Sequence, residues 1–212
     1  MVITLSLSIG IDLGLKSFCA LSDGSFVENP KFGKKEQERL ARRQRALARR
    51  KRGSRSRVRA KKLVAKSYLK IRNQRLNFTR KLAKSIVQKY DMISYEKLNI
   101  QNMIPGYLAR SIHDAAWGKF INCLECKAEE AGKYAIGIDP KGTSQICSDC
   151  GTIVPKRLGE RIHECPKCGL VLDRDTNAAI NIWKLGLGQL TQDQEAPGYG
   201  ADYLRSLETE RT

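Results

Sequence analysis

The chain opens on alternation. Ile3, Leu5, Leu7, Ile9 and Ile11 are separated by Thr4, Ser6, Ser8, Gly10 and Asp12, the period of two expected of a strand. Asp12 falls near the end of that strand, on the side opposite the five apolar residues. Residues 16–28 read as two more strands around the turn Asp23-Gly24, so the pattern predicts a three-stranded meander. From 34 to 90 the pattern turns helical, with a break near Gly53-Ser54. Leu63, Leu69, Ile71, Leu76, Leu82, Ile86 and Val87 give it a patchy apolar stripe, and a helical hairpin is predicted. "DMISYEKLNI" predicts a short strand ending at Glu96. Ile112, Ala116, Phe120, Leu124 and Ala128 recur every four residues and predict one amphipathic helix over 110–131. "YAIGID" predicts another strand, and a Gly/Cys-rich module follows over 143–171. A closing helix is predicted over 176–185, stopped near Gly186 and Gly188, and the polar residues after it read as a loose tail, 188–212.

Charge changes this picture. The formal net charge is +17 over 212 residues. Between Lys31 and Lys89 there are 24 Lys or Arg against two acids, Glu36 and Glu38, while the rest of the chain has 15 basic and 20 acidic residues. A field concentrated in one segment points to a polyanion, and nucleic acid is the partner it fits. A solvated helix face or a basic arm without a fixed partner is the bland alternative. The segment's few aromatics, Tyr68 and Phe78, favour tracking a phosphate backbone over stacking on bases. Arg42, Arg43, Arg45, Arg49, Arg50, Lys51, Arg52, Arg55, Arg57, Arg59, Lys61 and Lys62 are the candidate phosphate-binding residues. No apolar run is long enough to span a bilayer, and the start lacks the basic and apolar blocks of a signal peptide.

Cys147-x-x-Cys150 and Cys165-x-x-Cys168, each followed by glycine, are spaced as two knuckles that fill the four positions of a structural Zn²⁺ site. Such thiolate usage suits a reducing compartment, so a cytoplasmic, nucleoid-associated protein without a membrane is expected. His163, beside the second knuckle, reads as a supporting or surface residue rather than a ligand. Cys123 reads as helix packing, Cys126 as incidental and Cys19 as strand core. Asp12 and Glu96 stand near strand ends, and Asp175 starts the closing helix. Three acids so placed are the donor set a two-metal phosphodiester hydrolysis site requires, with Mg²⁺ or Mn²⁺ as the ions. Each acid alone is more often a cap or a surface charge, and Asp175 or Thr176 would serve as an N-cap.

Four stretches, "GIDLGLKSFCALSDG", "SYEKLNI", "TSQICSDCG" and "CPKCGLVLDRDTNAAINI", together resemble the transposon-encoded TnpB (OrfB) nucleases, relatives of type V CRISPR effectors. They occur in that family's order over residues 9 to 185. The resemblance implies an α/β fold: an RNase H-like (RuvC) mixed sheet flanked by helices, with a basic helical insertion and a four-cysteine zinc ribbon. It implies a core over 1–142 with the insertion at 31–90, a ribbon at 143–171 and a closing helix at 172–187. It assigns the catalytic acids to Asp12, Glu96 and Asp175, leaves Asp173 to orient the turn, and gives Arg174 and Asn177 supporting positions. DNA is the implied substrate and guide RNA an implied partner. The family's long N-terminal half has no counterpart before residue 3, so a nuclease core alone is expected, with a partner chain as one possible source of that half. A nucleic-acid-binding remnant that does not cut is the second reading. A zinc-ribbon transcription or translation protein is the third, and leaves "GIDLG" and "DRDTNAA" unexplained.

Overall fold

The computed structural model describes residues 7–103, 106, 108–139, 142–157 and 159–193. The first residues of the expected opening strand, and the expected loose tail from 194 on, lie outside them. The meander is present as β1 (Ser8–Leu13), β2 (Ser17–Leu21) and β3 (Phe26–Glu28). After it come α1 (Phe32–Ala48), α2 (Arg55–Lys89), β4 (Met92–Glu96), α3 (Ile100–Met103), α4 (Ala109–Ala115), α5 (Trp117–Glu130) and β5 (Tyr134–Ile138). A small hairpin, β6 (Ile162–Glu164) with β7 (Val171–Asp173), leads into α6 (Arg174–Asp193).

Five strands form one mixed sheet in the order β3-β2-β1-β4-β5. β2 runs antiparallel to β1 and β3, whereas β1, β4 and β5 are parallel. Alternation along β1 sends Ile9, Ile11 and Leu13 to one face, where they join Phe18, Ile93, Phe120 and Leu124 in the main core. α5 and the C-terminal half of α2 cover that face, with Phe18 meeting Phe78 and Phe120 edge to face at 4.9 and 5.3 Å. Ser8, Gly10 and Asp12 go to the other face, which α6 covers. There Trp183 Nε1 donates to Ser8 Oγ at 2.8 Å.

α1 buries no residue, and α2 buries none before Ser67. The basic hairpin is therefore anchored at its base. Asp114 of α4 accepts from the backbone N–H groups of Gly33 and Lys34 at the start of α1, and from Arg75 Nη2 of α2 at 2.7 Å. One carboxylate thus caps one helix and pins it to two others.

Two expectations need correction. The single helix over 110–131 is two helices, broken at Ala116, which takes the left-handed conformation with φ 58°. At 100° per residue, Ile112 and Ala115 do not share a stripe with Trp117, Phe120, Leu124 and Ala128. The break rotates the second helix so that both sets reach the core, at about 1–2 kcal/mol for a non-glycine residue in that conformation. The closing helix also does not stop at its glycines but runs through them to Asp193. Gly186 faces Ser94 of β4, and a Cβ there would overlap Ser94 Oγ and stand 2.7 Å from its Cβ. The glycine is a packing surface, not a terminator.

Gly186→Ala should therefore destabilise the fold by about 1–3 kcal/mol in urea unfolding, the usual cost of overpacking. Ser94→Gly in the same chain should recover part of that loss. A double variant no better than the sum of the singles would place the strain elsewhere.

Candidate active site and metal centre

The register of the two central strands builds the site. Ile11 pairs with Tyr95 across the parallel β1–β4 ladder, so Asp12 and Glu96 are the next pair along, on the face that α6 covers. Both stand at carboxyl ends of parallel strands, the usual place for a site in an open α/β sheet. Their side chains are close enough to share a hydrogen bond. Burial raises the Asp12 carboxyl well above the ordinary range, and the charges of Glu96 and Asp175 raise it further, while Arg174 pulls modestly the other way. Burial raises Glu96 too, opposed by its hydrogen bond to Asp12. Two carboxylates side by side out of water resist ionising together unless a cation joins them.

Asp175 comes from the first turn of α6. The cap of that helix is Asp173, whose Oδ1 accepts from the backbone N–H of Asp175 at 2.9 Å and of Thr176 at 3.2 Å. Neither Asp175 nor Thr176 is the cap, so the Asp175 carboxylate is left for other partners. One is Arg161, whose Nη1 lies 3.7 Å from Asp175 Oδ2. Nothing in the sequence pattern singled Arg161 out, because the pairing depends on how β6 folds back beside α6.

Among the described residues, the four cysteines form the compact cluster of candidate ligands, their sulfurs all within 4.8 Å of one another. Cys147 and Cys168 sulfurs are 3.6 Å apart, and Cys150 and Cys165 sulfurs 3.5 Å. A zinc tetrahedron with ~2.3 Å bonds has edges of about 3.8 Å, so the set fits that ion. Within the cluster the thiols divide: hydrogen bonds with Thr152 draw Cys150 down to about 6, while Cys168, despite its backbone hydrogen bond with Leu170, is pushed up to about 12 by burial and by the other cysteines. His163 is outside the cluster and fully buried, not at the surface. Its Nδ1 meets Lys156 Nζ, and burial, then the Lys156 charge, lowers its pKa. Cys19 is buried in β2, Cys123 half-buried against the core and Cys126 exposed. Asp12, Glu96 and Asp175 do not form a cluster of that compactness among the described residues.

The twelve candidate phosphate-binding residues divide. Arg42, Arg45, Arg49, Arg50, Lys51, Arg52, Arg55, Arg59, Lys61 and Lys62 are exposed. Arg43 and Arg57 are half-buried and engaged inside the hairpin. Arg43 donates to Leu63 O and Ser67 Oγ, and Arg57 donates to Leu47 O and Arg50 O at the end of α1.

A mixed α/β fold with a four-cysteine module and three acids at strand and helix ends defines the class. Residues 5–105 match OrfB_IS605, "Probable transposase", and residues 117–182 match the "Cas12f1-like, TNB domain". The chain belongs to this TnpB/OrfB family. It is 38% identical over 183 residues to a "Putative RNA-guided DNA endonuclease" of Streptomyces pristinaespiralis, covering 85% of this chain and 45% of that protein. It is 30% identical over 195 residues to "Putative RNA-guided DNA endonuclease InsQ" of Escherichia coli (strain K12), covering 84% of this chain and 48% of that one. The chain thus spans about half the length of these curated relatives. Its fold is similar to that in a solved Cas12f1-sgRNA-target DNA complex, with TM-score 0.61 and 22% identity over 86% of this chain and 51% of the other.

Removing one carboxylate relieves the buried repulsion. Asp12→Asn should raise the melting temperature of the metal-free protein by about 2–4 °C, the shift that ~1 kcal/mol produces at this size. An unchanged or lower melting temperature in calorimetry would show that the pair carries no such strain.

Proposed function

We propose that this chain forms the RuvC-type, RNase H-like nuclease core of a TnpB-like protein and hydrolyses DNA phosphodiester bonds with divalent metal ions. The observation that carries the reading is the pairing of β1 with β4, which sets Asp12 beside Glu96 while α6 brings Asp175 into their field. Asp12, Glu96 and Asp175 would hold Mg²⁺ or Mn²⁺. Bound there, the ions would supply activation of the attacking water and stabilisation of the leaving oxygen. Arg161 would give way on the Asp175 carboxylate as the metal arrives. Cys147, Cys150, Cys165 and Cys168 would hold a structural Zn²⁺. In this reading the core spans 1–142, the basic insertion 31–90 and the ribbon 143–171. The closing helix follows over 172–187, within which α6 begins at Arg174.

The exposed hairpin cations would grip phosphates of DNA, of a guide RNA, or of their heteroduplex. The names of the relatives and the solved sgRNA-target DNA complex support those partners. Replacing Arg49, Arg50, Lys51 and Arg52 together by alanine should weaken nucleic-acid binding. It should also flatten the log K against log salt slope by roughly 0.7–0.9 for each phosphate that is no longer neutralised. Arg43→Ala and Arg57→Ala should instead loosen the hairpin itself. A salt slope untouched by the fourfold change would move the interface off the hairpin.

Cleavage of labelled single-stranded DNA, with Mg²⁺ or Mn²⁺ against EDTA and beside Asp175→Ala, tests the reaction. Metal-dependent cutting that Asp175→Ala abolishes supports the nuclease reading. Folded, zinc-loaded protein that binds DNA and leaves it intact would favour the non-cutting one for this chain by itself.

A further inference from the structure

Three polar side chains of α6, two buried amides and the exposed Lys184, reach the first cysteine knuckle. Asn177, Asn181 and Lys184 stand at i, i+4 and i+7, one face of the helix. Asn177 Oδ1 accepts from the backbone N–H of Ser148 at 2.9 Å, and its Nδ2 donates to Ile146 O at 2.8 Å. It therefore brackets Cys147 from both sides along the chain. Asn181 Nδ2 donates to Thr143 O at 2.8 Å and to Ile146 O at 2.7 Å. Lys184 Nζ donates to Ser148 O at 2.5 Å. Asn177 is fully buried, and Asn181, Thr143, Cys147 and Ser148 nearly so.

We propose that Asn177, Asn181 and Lys184 are positioning residues that make the placement of the first turn of α6, and of Asp175 upon it, depend on zinc loading of the ribbon. The knuckle has little structure of its own: turn hydrogen bonds and the bridge between Ile146 and Ile153. The thiolates around a metal would be its main restraint. If the knuckle loosens, the two buried amides must follow it or be left unpaired, which is costly away from water. α6 is also tied to the ribbon on its other side, where Arg174 N donates to Arg161 O at 2.7 Å. The turn that carries Asp175 is thus held between the two halves of one metal module. A purely structural role would predict something different, a uniform loss of stability with no link to zinc.

The catalytic meaning of this coupling rests on the proposed role of Asp175, but its test does not. Hydrogen exchange would be followed across the whole chain in four samples: zinc-loaded wild type, wild type stripped by a chelator, and zinc-loaded Asn181→Leu and Lys184→Met. Amides of residues 175–179 should exchange about ten-fold faster in the stripped protein and in Asn181→Leu, while those of β1 and β4 keep their protection. Zinc transfer to a chromophoric chelator should be about ten-fold faster from Asn181→Leu, the lower end of what removing a ligand's hydrogen-bonded support costs. Lys184→Met, changed at an exposed position, should show the same two effects more weakly and stands in if Asn181→Leu does not fold. Unchanged exchange at 175–179 after stripping, or zinc release at the wild-type rate from both variants, overturns the proposal. Neither readout uses cleavage, so a protein that cuts no DNA still tests the coupling.

Discussion

Where helix α6 crosses β1 and β4 it meets them through backbone and small atoms, and beside that crossing Leu187 and Leu190 pack on Met92. A Cβ on Gly10 of β1 would run into Ala179 O and stand 2.7 Å from Trp183 Cβ, and Gly186 of α6 leaves the matching space for Ser94 of β4. Glycine on the strand and glycine on the helix, at two points along the same crossing, bring the axis closer than ordinary side chains allow. That closeness is what places a helix N-terminus within electrostatic reach of the ends of β1 and β4. Were α6 held further off, Asp175 would no longer act on Asp12.

The same geometry concentrates negative charge where the fold least tolerates it. Asp12 and Glu96 are desolvated, and their mutual repulsion is only partly offset by Arg174. The structure otherwise spends acids on local tasks: Asp173 on a cap, Asp114 on the start of α1, Glu36 on Lys70 across the hairpin. An acidic cluster serving no such task costs stability and is best explained by what it would hold. The cationic excess sits elsewhere, on a hairpin that buries nothing along α1 and little along the first half of α2. Segregating the two signs keeps the hairpin from neutralising the acids.

Much of this was legible in the chain. Alternation gave β1 and the polar side on which Asp12 stands, and the paired Cys-x-x-Cys spacing gave the thiolate cluster, because both depend on local periodicity or short loops. The hidden parts depend on residues far apart in sequence. Gly186 reads as a helix stop until Ser94 is set against it, and Ala116 reads as part of a continuous stripe until its neighbours must face one core. Arg43 and Arg57 resemble the other hairpin cations until Leu63 O, Leu47 O and Arg50 O are found within their reach. Asn181 and Lys184 carried a faint signal: an asparagine four residues after Asn177, on a helix otherwise apolar over that stretch, has to find a buried partner.

The ribbon and the hairpin attach to the core in opposite ways, and the difference follows from what each can bury. The outer part of the hairpin, α1 and the first half of α2, has little apolar surface to contribute, so the hairpin is held at its base, by Asp114 with Arg75 and the start of α1 and by the apolar C-terminal half of α2, where Ala83, Ile86 and Val87 join the core. Such a hold fixes the base of the hairpin. The ribbon is too small for a core of its own, and its exposed Ile153, Ile162 and Val171 show how little of it is covered. It is held instead by buried amides reaching from α6, which have no value as solvent-facing groups and are left unpaired if the knuckle moves. A module attached in that way cannot shift without disturbing the helix that holds it. The four-cysteine module and the acids at the ends of β1 and β4 are therefore joined through α6, whereas the basic arm is anchored through α2, Asp114 and Arg75.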